Sequence, residues 1–210
     1  MSYAVKEIFY TLQGEGRQAG RAAVFCRFAG CNLWSGREAD RAAAACPFCD
    51  TDFIGLDGPG GGRFASAELL AEAVAAAWTG EPEGRLTVLT GGEPLLQVDD
   101  ALVAALHGRG FEIAVETNGT LAPPPGLDWI CVSPKGAAPL ALEAGDELKL
   151  VYPQAAAMPE RFAALPFANL ILQPMDGPDQ AANTAAAVRY CMAHPRWRLG
   201  LQTHKVLGIA

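Results

Sequence analysis

The chain has 210 residues, half of them hydrophobic, enough for one domain with a sizeable core. Its formal net charge of −7 argues against general nucleic-acid binding, which needs a basic face; local cations can still gather around a small anion. No run approaches the roughly 20 apolar residues of a membrane span.

The chain begins with the run 5–10, followed by Thr11-Leu12-Gln13-Gly14-Glu15-Gly16. Two glycines around a carboxylate suit either an ordinary turn or a loop whose backbone approaches a ligand closely. Residues 23–29 form the first buried strand. The stretch 31–50 lacks periodicity and reads as a long loop, a feature that is usually functional in a compact domain. Residues 58–62 read as a further loop. Ser66 is placed to cap a helix reaching about Trp78, with Leu69, Leu70, Ala73, Val74 and Ala77 as its apolar stripe. A strand over 85–90 ends in Gly91-Gly92-Glu93-Pro94, and a helix over 98–107 is closed by Gly108 and Gly110. Strands follow over 111–117, 127–132, 147–152 and 169–173, then a helix over 180–192 and a last strand over 198–202. Short apolar strands alternating with helices imply parallel pairing. A complete eight-unit barrel takes about 250 residues. The expected fold is therefore α/β: an incomplete, open (β/α) barrel of about six parallel strands with few helices, one domain over 1–210 with an insert at about 32–45.

Cys31, Cys46 and Cys49 stand at C-x14-C-x2-C spacing, directly after the first buried strand. Three thiolates so placed indicate a metal site. A structural zinc takes four protein ligands and would have to recruit Cys131, His107 or another distant residue. A cubane iron–sulfur cluster uses four cysteines when fully ligated, so three leave one iron open to a small molecule. A disulfide is disfavoured, because the chain opens MSYAVKEIFY without a signal peptide and is expected to work in the reducing cytoplasm. Cys26, Cys131 and Cys191 lie in apolar surroundings and read as core. Arg27 interrupts an otherwise apolar strand, where an unpaired charge is costly. It is placed either to bind a carboxylate bidentately or to form a structural ion pair.

Eight short motifs give these features a family. They are TLQGEG at 11–16, RFAGCNLWSG at 27–36, CPFCDT at 46–51, TGGEP at 90–94, ETNGT at 116–120, SPK at 133–135, QP at 173–174 and QTHK at 202–205. With them the chain resembles the radical S-adenosylmethionine (SAM) superfamily, and within it the 7-carboxy-7-deazaguanine synthases of queuosine (7-deazapurine) biosynthesis. GGEP is shared across the superfamily; QGEG before the cysteines and CDT after them point to the synthases. Most of the superfamily spaces its cysteines C-x3-C-x2-C, whereas fourteen residues separate Cys31 from Cys46 here, as in some synthases. That gap is alanine-rich and charged and is expected to form a small helical insert over the cluster. The family usually ends in proline; this chain ends Leu207-Gly208-Ile209-Ala210.

The resemblance implies a lyase that contracts the ring of 6-carboxy-5,6,7,8-tetrahydropterin by radical chemistry, losing ammonia and regenerating SAM. Its cofactors would be a 4Fe–4S cluster on Cys31, Cys46 and Cys49, SAM, and Mg2+ at Thr51. SAM would meet Phe48, Asp50, Gly92, Glu93, Ser133, Lys135 and Gln173, with Glu93 offering its carboxylate to the methionine ammonium. The pterin would meet Leu12, Gln13, Gly14, Glu15, Arg27, Thr90, Glu116, Asn118, His204 and the terminal Ala210. Because SAM and the cluster carry the radical chemistry, no side chain is assigned as catalytic. An electron donor such as flavodoxin and a homodimer are implied; nucleic acid and membrane are not. Two other readings share the cysteines: an activase of a glycyl-radical protein, and a non-catalytic zinc-binding protein.

Overall fold

A computed structural model describes residues 2–209. Nine strands form one sheet: β1 (Tyr3–Leu12), β2 (Ala22–Phe28), β3 (Gly62–Phe64), β4 (Leu86–Gly91), β5 (Glu112–Thr117), β6 (Trp129–Val132), β7 (Gly145–Tyr152), β8 (Phe167–Pro174) and β9 (Trp197–Leu199). Their order is β3-β1-β2-β4-β5-β6-β7-β8-β9, so the sheet stays open, with β3 and β9 at its edges. From β2 to β9 the seven strands pair in parallel, as the incomplete-barrel expectation required. The first and third strands depart from it, because β1 runs antiparallel to β2 and β3 antiparallel to β1. The short 13–21 connection makes β1 and β2 a hairpin, whereas parallel neighbours need a crossover of a dozen residues or more.

Helices α1 (Ala67–Ala77), α2 (Asp100–His107), α3 (Gln180–Ala193) and α4 (Thr203–Leu207) complete the fold. Ser66 caps α1 by accepting from the Leu69 N–H. Asp99 caps α2 by accepting from Leu102 N–H at 3.0 Å, and it also accepts from the Tyr3 hydroxyl at 2.7 Å. Helix α2 therefore starts two residues later than its apolar pattern suggests. The last strand is shorter than expected. Residues 203–207, to which the sequence reading assigns no element, form a helical turn closed by Gly208 in the left-handed conformation. The insert holds a single 3₁₀ turn, Glu38–Ala43, with no buried residue. The 118–127 and 133–144 connections lack helices.

Alternation along each strand divides the sheet into two faces. Val24, Cys26 and Phe28 of β2, Leu89 of β4, and Ile113 and Val115 of β5 pack with Leu70 and Val74 of α1 and Leu102 and Leu106 of α2. Val132, Leu148, Leu150, Leu170 and Leu172 continue the layer with Phe162, Phe167 and Trp197, and Tyr190 and Cys191 of α3 pack against it. The alternate residues face the other way. At the N-terminal ends of the strands these are apolar: Ala23, Leu86, Val88 and Ala114, flanked by Phe25 and Trp129. Nearer the C-terminal ends they are polar: Arg27, Thr90, Glu116, Lys149 and Gln173.

Leu102 is fully buried between α2 and the sheet. Leu102→Ala should cost about 2–5 kcal/mol, read as a lower denaturant midpoint with an unchanged slope.

Candidate functional site

The C-terminal ends of the parallel strands, the 12–15 loop, the cysteine loop and α4 surround one cavity of about 390 Å³. All three motif cysteines line it. Strand β2 delivers Cys31, whose sulfur accepts from the Leu33 N–H at 3.4 Å. Cys46 and Cys49 face each other across a tight turn closed by Cys49 N–H to Cys46 O at 3.1 Å. The Cys46 thiol donates to Cys49, bringing Cys49 down to about 6, helped by the Thr51 N–H and the charge of Lys135 and opposed by burial. Cys46 is raised, first because it gives up that hydrogen bond and then by burial. Burial also raises Cys31. Two neighbouring thiols, a third thiol on the same cavity and an N–H···S contact fit a thiolate-ligated iron–sulfur cluster.

Among the described residues, no three Cys, His, Asp or Glu side chains converge as a single-ion site. The fourth ligands considered for zinc are also elsewhere. Cys131 is buried on β6 and donates to Glu147 at 3.5 Å, while His107 pairs with Asp128 at 2.8 Å on the surface of α2. Neither lines the cavity.

The insert braces the cysteine loop. Arg41 donates to the carbonyls of Pro47 at 2.9 Å and Cys49 at 3.0 Å, and its guanidinium lies 4.3 Å from the Trp34 ring centre. The insert thus ties the first cysteine arm to the second.

Beside Cys31 lies the Gly91-Gly92 turn. A Cβ on Gly91 would fall 2.2 Å from Phe28 O, and one on Gly92 2.2 Å from Gly30 O and 2.7 Å from Cys31 Cβ. Only glycine lets this turn pass under the cysteine, leaving a cradle for a ligand. Glu93 departs from its expected role. Its fully buried carboxylate accepts from the Thr117 hydroxyl at 2.7 Å, Asn118 N–H at 2.7 Å and Leu95 N–H at 3.0 Å. Three donors satisfy it from inside the protein, so it shapes the turn and does not line the cavity. Asn118 lines the cavity, while its amide donates to Asn32 Oδ1 at 2.9 Å, just past Cys31.

Across the cavity, Lys135 donates to the Ser133 hydroxyl at 2.5 Å. Buried Gln173 has an Oε1 with no protein donor, an unmet acceptor on the cavity wall that suits a ligand ammonium. Phe48, Asp50 and Thr51 also line the cavity.

A second set of lining residues forms ion pairs. Glu7 and Arg27 are cross-strand partners after a bulge in β1, and Arg27 Nε donates to Glu7 Oε1 at 2.7 Å. The ion-pair reading of Arg27 is thus observed, and the residue still lines the cavity. Lys149 of β7, only 4% exposed, contacts Glu15 at 2.5 Å and Glu116 at 3.2 Å. Gln13 donates to Glu116 at 2.9 Å, and Gln202 to Glu15 at 2.9 Å. Burial raises Glu15, but the Lys149 charge and hydrogen bond, with those from Gln202 and Gln173, outweigh it and bring Glu15 to about 2. Helix α4 closes this side. Thr203 donates twice to Gly14 O, and Lys205 joins Asp50 at 2.6 Å to Asp176 at 2.5 Å.

Leu12, Gln13, Gly14, Glu15, Thr90, Glu116 and His204 also line the cavity; Ala210 lies outside the described residues. Sequence reasoning missed Lys149, Glu147, Gln202, Lys205 and Arg41. Lys149 and Glu147 carried a usable signal: like Arg27, they are charges set into an apolar strand.

A family model described as the radical SAM superfamily matches residues 40–161. Its match begins beyond Cys31, as the long gap between the first two cysteines would cause. A relative from Caulobacter vibrioides named 7-carboxy-7-deazaguanine synthase is 69% identical over 209 residues, covering 100% of both chains. One of the same name from Bradyrhizobium diazoefficiens is 70% identical over 209 residues with the same coverage. A crystal structure of QueE from Escherichia coli aligns with a TM-score of 0.71 at 28% identity, covering 96% of this chain and 94% of the other.

Glu93→Ala should destabilise the cluster-free protein by about 2–4 kcal/mol, because buried donors lose a charged acceptor; urea unfolding measures it. Glu15 is depressed in the fold, so its stabilisation is present above its ordinary value of 4.5 and is lost as the pH falls toward about 2. The stability gap between wild type and Glu15→Gln should therefore close as the pH falls through that window. A gap that widens on acidification would contradict the pairing with Lys149.

Proposed function

The chain belongs to the 7-carboxy-7-deazaguanine synthase family of the radical SAM superfamily, and from that premise we propose that the cavity at the strand ends is a radical site joined to a pterin pocket. The protein is a lyase of queuosine biosynthesis. It contracts the ring of 6-carboxy-5,6,7,8-tetrahydropterin to 7-carboxy-7-deazaguanine, with one ammonia lost and no net change of oxidation state. A 4Fe–4S cluster and SAM supply the initiating radical when bound, and Mg2+ is typical of the family.

Cys31, Cys46 and Cys49 would hold the cluster. Their contact with one cavity, beside the glycine cradle, is the observation that carries the reading. The Gly91-Gly92 backbone and Gln173 Oε1 would receive the methionine ammonium. Ser133 and Lys135 would take the ribose and carboxylate of SAM, and Phe48 and Asp50 would flank its adenosyl part. Thr51 would give one oxygen to Mg2+, which needs few protein ligands because it retains several waters. In the pterin pocket, Arg27, oriented by Glu7, would bind the substrate carboxylate. Gln13, Glu15 and Glu116 would accept from the N–H edge of the ring, with Leu12, Gly14, Thr90, Asn118 and His204 as its walls. Helix α4 would keep water from the reacting atoms.

Three further points belong to this reading. A one-electron donor such as flavodoxin would reduce the cluster. A homodimer would cover the exposed Leu201, Val206 and Leu207 at the C-terminus. The six free cysteines suit a reducing cytoplasm, and no helix among the described residues is long and apolar enough to cross a membrane.

Anaerobically reconstituted protein with dithionite, SAM, Mg2+ and 6-carboxytetrahydropterin should form a product lighter by one ammonia, many times per SAM. Steady SAM cleavage with the pterin untouched would leave the cluster standing and remove the substrate. Arg27→Ala should raise KM about tenfold or more without lowering iron content; an unchanged KM would end its carboxylate role.

A further inference from the structure

Strand β7 reads Gly-Asp-Glu-Leu-Lys-Leu-Val-Tyr. Leu148 and Leu150 face the α3 layer, while Glu147 and Lys149 face inward. A buried ammonium is costly, and replacing a buried ion pair by apolar residues is often neutral or stabilising. The fold therefore gains little from a lysine here. Lys149 touches two carboxylates that arrive from different elements, Glu15 on the 13–21 loop and Glu116 on β5, and both line the cavity. Glu147 holds the same loop from below, accepting from the Arg17 N–H at 2.6 Å. Gly16 packs so tightly on Glu147 that a Cβ there would fall 2.1 Å from its oxygen.

We propose that Lys149 is a positioning residue for the substrate: its ammonium gathers Glu15 and Glu116 side by side as acceptors for the 2-amino-4-oxo N–H edge of the pterin. The proposal rests on the pterin reading and deepens it. Lys149 and Gln13 share Glu116 Oε1, leaving Oε2 for a ligand donor. Two carboxylates, Glu15 and Glu116, share this one ammonium, with Glu147, which burial raises, close by. An N–H-rich edge is the neutral group that such a site attracts. The other titratable groups that act on Lys149 or feel its charge are Cys131 of β6 and Lys135 after it.

The test compares wild-type, K149M, K149Q and K149R holoenzymes for KM and kcat toward 6-carboxytetrahydropterin across neutral pH. The neutral variants should raise KM at least about tenfold, with kcat at saturation and iron content near wild type. Their KM should climb further as the pH falls, because Glu15 keeps the burial that raises it and loses the cation that lowers it. Wild-type KM should stay flat, and K149R should recover most of the loss. A wild-type, pH-flat KM in K149M or K149Q overturns the proposal, as does a loss confined to kcat. Failure of both neutral variants to fold would make Lys149 a structural residue and would also overturn it. A wild type that neither binds nor converts the pterin would instead remove the pterin reading itself.

Discussion

All strands of a parallel sheet end on the same edge, and side chains along each strand alternate between two faces. In this chain the outward positions of β2, β4, β5, β7 and β8 are apolar and covered by α1, α2 and α3. That leaves the inward positions free to be polar wherever a strand nears its C-terminal end. Cys31 follows β2, the glycine turn ends β4, Asn118 follows β5, Ser133 follows β6, and Gln173 lies near the end of β8. Residues distant in sequence meet in one cavity because topology sends every strand end to it.

The two halves of that cavity solve different problems. On the cysteine side, soft thiolates must be held at a fixed spacing. The insert does this through Arg41, which bonds the carbonyls of the Cys46–Cys49 turn while resting on Trp34. On the charged side, acidic acceptors must stay ionised away from water, and a lysine buried in the sheet supplies the cation that permits it. Both arrangements leave some acceptor capacity that the protein does not use, and the buried, unpartnered Oε1 of Gln173 is the plainest case.

Much of this was legible in the sequence, because spacing and strand-end position are local properties. The cysteines, the glycine turn, QGEG and the open parallel architecture were read from the residues or from the family they resemble. Other features depend on what a side chain meets across the sheet. Glu93 looked like a ligand because it follows two glycines, yet it turns inward to Thr117 and Asn118, which belong to the next strand's end. Arg27 was expected at a carboxylate; the bulge in β1 also brings Glu7 opposite it. Lys149 was absorbed into an ordinary strand, and its meaning emerges only when the hairpin loop and β5 bring Glu15 and Glu116 to it. Helix α4 escaped notice because five residues without a side-chain cap carry almost no local signal.

The claim that three cysteines hold an open cluster beside a SAM cradle is tested most directly by spectroscopy of the reconstituted, reduced protein. The account predicts about four irons and four sulfides per chain. It also predicts an electron paramagnetic resonance signal that changes when SAM is added and is absent in Cys49→Ala. One zinc per chain without sulfide, or a cluster signal indifferent to SAM, would contradict it.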